Sequence, residues 1–160
     1  MMRKKLICIA LIVGIQLSVI FPFSIGIASG GEIIGQEKAG GYFYVVKKEI
    51  SSFEWEIGYR NSHSIIKEDK NNKLDLEKFH KIVNEISRQR FKLLLSVLYL
   101  SILLSALLFV FKKKTKESKK GGVIFISGLL TITTYIILKT SIELYISCQE
   151  AKFLYLVLTQ

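Results

Sequence analysis

The chain has 160 residues, half of them apolar, and a net charge of +10. The apolar residues gather in three long runs rather than spreading as a soluble core requires, and most of the excess positive charge sits beside those runs. Residues 29–92 hold 12 basic against 10 acidic side chains, so the longest polar segment lacks the basic face that a nucleic-acid reader needs, and nucleic acid is not expected as a partner.

The first run, LICIALIVGIQLSVIFPFSIGIA (6–28), follows the basic start MMRKK. Pro22 falls where the apolar core of a signal peptide would end, and Gly26, Ala28 and Gly30 offer the small-x-small spacing of a signal-peptidase site. The same run reaches Ala28 as an apolar stretch long enough to span a bilayer. Residues 1–28 therefore read as a signal peptide or as a first transmembrane helix. Both place residue 30 outside the cytoplasm.

Residues 29–92 form the expected extracytoplasmic segment. GGYFYVVKK (40–48) is aromatic and β-branched, bounded by glycines, and reads as a short strand or an interfacial aromatic stretch. The next piece, residues 49–66, carries two periods. Phe53, Trp55, Ile57 and Tyr59 alternate with Glu54, Glu56 and Gly58, the pattern of a strand. Ile50, Phe53, Ile57 and Asn61 follow helical spacing, and Ser51 with Glu54 makes a capping box, which favours helix. After the polar turn KEDKNNK (67–73), Asn72 offers an N-cap, and Leu76, Phe79, Ile82 or Val83, and Ile86 form an apolar stripe. No proline or glycine interrupts residues 73–110, so one helix is expected to begin outside and run into the second apolar run. Arg88, Arg90 and Lys92 would meet the outer headgroups.

The second run (93–111) is uncharged and the third (123–142) holds only Lys139 near its end. Both suit membrane-spanning helices, with Lys139 reaching back to the headgroups and Glu143 one turn on. Between them Lys112, Lys113, Lys114, Lys116, Lys119 and Lys120 crowd into a short turn (112–122) closed by Gly121 and Gly122. Basic residues beside span ends are held in the cytoplasm, which makes this turn the inner end of a helical hairpin; the same lysines also suit anionic lipid headgroups. Ser101, Ser105, Ser127 and Thr131, with Gly128, would let the two spans pack closely, or serve homo-oligomerisation. The tail 143–160 is too short to cross again and is expected outside, at the interface or against the external segment.

The expected fold class is an all-α membrane protein: a signal peptide or anchor helix, a small and mostly helical extracytoplasmic segment, and a two-helix transmembrane hairpin. The location expected is the plasma (inner) membrane, multi-pass, with the N-terminus cytoplasmic and the C-terminus extracytoplasmic.

No catalytic signature is present. His63 and His80 lack metal-ligand spacing, Cys8 and Cys148 fall on opposite sides of the membrane, and no serine is placed with a base and an orienting third group. No cofactor or metal is expected. The function expected is that of a non-catalytic accessory or binding component, such as an immunity or modulator protein. It would contact another protein through Phe53, Trp55 and Tyr59, because aromatic side chains dominate interface energetics. The alternatives are a channel or holin-like homo-oligomer using Ser101, Ser105, Thr131, Thr133 and Thr134, or a membrane-bound enzyme using His63 and His80 with Glu77.

Overall fold

A computed structural model describes residues 32–49, 52–112 and 117–160, with side chains described except at 110–112 and 117–120. The two readings of residues 1–28 lie outside the described residues.

Four strands come first: β1 (Glu32–Ala39), β2 (Tyr42–Lys48), β3 (Phe53–Tyr59) and β4 (Ser62–Lys67). They form one antiparallel meander in the order β1-β2-β3-β4. Two helices follow, α1 (Lys73–Lys112) and α2 (Glu117–Thr159). The all-α expectation is therefore overturned, because residues 32–67 are a sheet and the helical part starts only at Lys73.

The turns explain the pairing. Gly40 and Gly41 join β1 to β2 with φ of 63° and 90°, the left-handed geometry that a two-residue hairpin demands and glycine supplies without strain. Arg60 takes φ 54° in the β3–β4 turn, and its guanidinium lies 5.2 Å from the centre of the Tyr59 ring. Registers run Ala39↔Tyr42, Tyr42↔Tyr59 and Tyr59↔Ser62 at that end of the sheet. In β1 the register shifts between Ile33 and Gly35, a bulge of the kind that blunts an edge strand.

The helical expectation for residues 49–66 fails for a physical reason. Both periods are present in that segment, and burial decides between them. Phe53, Trp55, Ile57 and Tyr59 all lie on one face of β3, and that face meets the helices; Trp55 and Ile57 are in the core. A helix would have split this set around its circumference, whereas strand alternation buries it together.

Helix α1 begins where expected, but its start is held differently. The Asn72 carbonyl accepts the amides of Asp75 and Leu76. Its side chain turns backward instead of capping, accepting from the Asp69 amide at 2.8 Å and donating to the Lys67 carbonyl at 2.9 Å. Asp69 Oδ1 in turn accepts the amides of Asn71 and Asn72. The β4–α1 connection is thus a closed knot of side-chain-to-backbone bonds.

Helices of 40 and 43 residues are about 60 and 65 Å long, whereas the hydrocarbon core of a bilayer is about 30 Å thick. In each, only 6% of the most apolar 18-residue window is buried, unlike the core helix of a soluble protein. Both helices are long and apolar enough to cross a membrane. About half of each is left over, and these halves carry the sheet. Leu76, Phe79, Val83 and Ile86 of α1, with Ala151 and Leu154 of α2, pack against Ala39, Tyr42, Tyr44, Val46, Trp55 and Ile57. α2 continues unbroken through the residues read as a tail; Tyr155 and Leu158 pack on this core while Phe153 stays exposed.

Phe79 has no exposed surface and its ring meets Tyr42 edge-on at 6.3 Å. Phe79→Ala is expected to cost about 3–5 kcal/mol, read as a shift in denaturant midpoint followed by the fluorescence of Trp55, the single tryptophan.

Candidate functional site

The inner face of the sheet carries a layer of polar partners among its aromatics. Trp55 Nε1 donates to Glu68 Oε2 at 2.9 Å, and Glu68 Oε1 lies 3.5 Å from Lys73 Nζ. Tyr44 donates its hydroxyl to Asn84 Oδ1 at 2.9 Å, and Asn84 Nδ2 is 3.1 Å from His80 Nε2. Ser87 donates to Glu37 Oε1 at 3.3 Å. Apart from the Asn84–His80 contact within α1, each joins the sheet, or the β4–α1 connection, to α1 or to its neighbouring strand, so together they fix the sheet's register on the helix. Burial raises the Tyr44 phenol above its ordinary value, against the lowering effect of the Asn84 bond, and keeps the hydroxyl a donor.

This arrangement places the three residues expected to meet a partner. Phe53, Trp55 and Tyr59 do share one face, but it is the face turned to the helices. Trp55 is 7% exposed and Tyr59 stacks on Tyr42 at 4.6 Å, leaving Phe53 alone at the exposed rim. The aromatic alternation marked a core-facing strand. The two acids flanking Trp55 point the other way, where Glu56 pairs with Lys47 at 3.5 Å.

The outer face follows from the registers. One row reads Lys38, Phe43, Gly58, His63; the next Gln36, Val45, Glu56, Ile65; the third Ile33, Lys47, Glu54, Lys67. Apolar side chains run diagonally through a frame of lysines and glutamates, and Ile65 is 61% exposed. The Phe43 ring lies over Gly58: a Cβ built on Gly58 would come within 2.3 Å of two ring atoms. Glycine at 58 lets the ring lie flat on the sheet, so the outer surface is smooth at its centre. Composition could have indicated this face, since Val45 and Lys47 on one side and Glu54 and Glu56 on the other are its alternating members. The signal became legible only once residues 53–59 were known to be extended.

The histidines are not brought together. His63 pairs with Gly58 and so belongs to the outer face, whereas His80 sits on α1 beneath the inner face, with its ring 4.6 Å from that of Tyr44. Among the described residues no group of three histidine, cysteine or acidic side chains could hold a metal ion. Hydroxyls of the long helices bond to their own backbone: Ser105 to Ser101, Thr131 to Ser127, Thr133 to Leu129 and Thr134 to Leu130. Of the six lysines of 112–120, Lys112 ends α1 and Lys119 and Lys120 lie in the first turn of α2, with their side chains outside the described residues; Lys113, Lys114 and Lys116 fall outside the described residues altogether.

No protein-family model matches the chain, and comparison with curated proteins and with solved structures finds no match.

Burial pushes the His80 imidazole below its ordinary value; Lys81 adds to the shift and Glu77 opposes it. The unfolded chain then binds a proton that the folded chain refuses, so stability rises with pH between the two values. The stabilisation is complete above about pH 6.5 and is lost as pH falls through the lower folded value. Melts at about pH 7.5 and about pH 5 should show this loss, and His80→Gln should show a smaller one. An equal loss in the variant would assign the effect to other groups.

Proposed function

We propose that this chain is a small, non-catalytic integral membrane protein, an accessory or binding component such as an immunity or modulator protein. It holds its sheet outside the plasma (inner) membrane and meets a partner protein there. The observation that carries this reading is the polarity of the helical hairpin. The sheet packs on one end of the α1–α2 pair, the lysine-rich stretch lies at the other, and the apolar, exposed stretches lie between.

In this reading the lysine-rich stretch 112–120 faces the cytoplasm, held there by charge, with anionic headgroups as its neighbours. The sheet and the C-terminus face outward. Residues 1–28 deliver the sheet across the membrane, as a signal peptide or a retained helix. The partner-facing surface is the outer sheet face, with Phe43 and Val45 on β2, Ile65 on the edge strand β4, and Lys38, Lys47, Lys67, Glu54 and Glu56 among them, the mixed apolar and charged make-up of a protein interface. The opposite faces occupied by His63 and His80, and the internal bonding of the span hydroxyls, give the enzyme and channel readings no comparable support.

Two experiments test it. Replacing Lys112, Lys113, Lys114, Lys116, Lys119 and Lys120 with glutamine should loosen or invert the orientation reported by a fusion at residue 118; an unchanged cytoplasmic signal would remove charge as the determinant. A photoreactive side chain at Ile65 should crosslink one dominant protein in intact membranes. Absence of any protein crosslink at Ile65 would rule out the outer face as the contact surface.

A further inference from the structure

We infer that two copies of this chain associate in parallel through the outward face of α2, along its whole length. The inference goes beyond the proposed function and rests only on its membrane-spanning part.

The buried side of α2 is narrow. Thr133, Thr140, Ser147, Ala151 and Leu154 are buried against α1 and the sheet. At about 100° per residue, the opposite side carries Tyr135, Leu138, Ile142, Tyr145, Ile146, Gln149, Phe153, Leu156 and Val157. Every one of these is exposed, and most are large and apolar. Their spacing repeats every 11 residues, from Tyr135 to Ile146 to Val157 and from Ile142 to Phe153. A repeat of that length stays on one side of an almost straight helix.

Lipid cannot cover the outer part of this stripe. If the span ends near Ile142, Phe153 stands about 17 Å further along the helix, beyond the headgroup layer. Yet Phe153 is 65% exposed, with Tyr145, Ile146, Leu156 and Val157 beside it. Toward the other end the same side of the helix mixes small residues with Ile124, which is 71% exposed. Gly121, Gly128 and Thr131 continue the stripe, and a Cβ built on either glycine meets nothing within 4 Å. These residues do not line the α1–α2 seam, so the close approach they permit is to a helix outside the hairpin.

Three features select a second copy as that helix. Copies of one membrane protein insert with the same orientation, so their α2 helices meet parallel and at equal height. An exposed apolar stripe on one copy then faces the same stripe on the other at every level, outside the bilayer as well as within it. The charges agree as well: Glu150 lies about 80° to one side of the stripe and Lys152 about 80° to the other. Both are exposed. A two-fold axis along the membrane normal sets the glutamate flank of each copy against the lysine flank of its mate, twice over.

The test uses the full chain in its own membranes, with Cys8→Ala and Cys148→Ala removing the native thiols. Flotation first establishes that the chain is in the membrane. Ile146→Cys and Phe153→Cys should each oxidise to a disulfide-linked species of twice the 18.2 kDa chain mass. Ser141→Cys and Thr159→Cys, exposed but off the stripe, should stay monomeric. Adding Gly128→Ile to the Ile146→Cys chain should lower the dimer yield about tenfold by holding the helices apart within the bilayer. Equal dimer yields at all four positions, adducts with another protein, or no dimer from a floating chain would each overturn the inference while leaving the membrane reading intact. A chain that does not float overturns both.

Discussion

The rest of the structure depends on the burial of one sheet face against two helices that outrun the thickness of a bilayer. A four-stranded meander with one solvated face is short of core by itself. Here its missing layer is supplied by the projecting halves of α1 and α2, which bring Leu76, Phe79, Val83, Ile86, Ala151 and Leu154 to the aromatics of β2 and β3. Helix pair and sheet are therefore one folding unit. The polar bonds at that junction, from Trp55 to Glu68 and from Tyr44 to Asn84, lock the register that hydrophobic burial alone leaves free to slide.

That dependence also sorts the surfaces. Trp55 and Tyr59 of β3 are spent on the core, and the larger surfaces left open are the outer sheet face and the side of α2 turned away from both sheet and α1. These two surfaces do not compete. One lies across the strands and the other along a helix, and α2 itself, packed beneath the inner face, separates them.

Helix α1 was legible in the sequence because a long uninterrupted pattern carries its own boundaries, whereas α2 runs past the expected span at both ends. Absence of glycine and proline from 73 to 110 predicted α1, and the lysine cluster marked where it ends. The sheet was not legible, and the reason is specific. Residues 53–59 satisfy both a helical and an alternating pattern, and local signals such as the Ser51–Glu54 pair favour the helix. What tips the balance is a layer contributed by residues 76–86 and 144–158, far along the chain, which no local pattern reveals. Trp55 shows the same limit at a single position: a tryptophan flanked by acids looks like an anchor for a partner until the helices are seen to cover it. The Gly-Gly turn at 40–41 was visible as punctuation, but its meaning as a hairpin depended on knowing that β1 precedes it.

The core of this protein is drawn from both ends of its described chain. All four strands are complete by Lys67, yet Ala151 and Leu154, which help to cover them, lie within the last ten residues. During synthesis α1 can cover the aromatic face first, and the cover is completed only when Ala151 and Leu154 have been made. Its maturation is thus a closing step rather than a beginning. Loss of Ala151 and Leu154, far from any strand in sequence, would leave part of the sheet's inner face permanently uncovered.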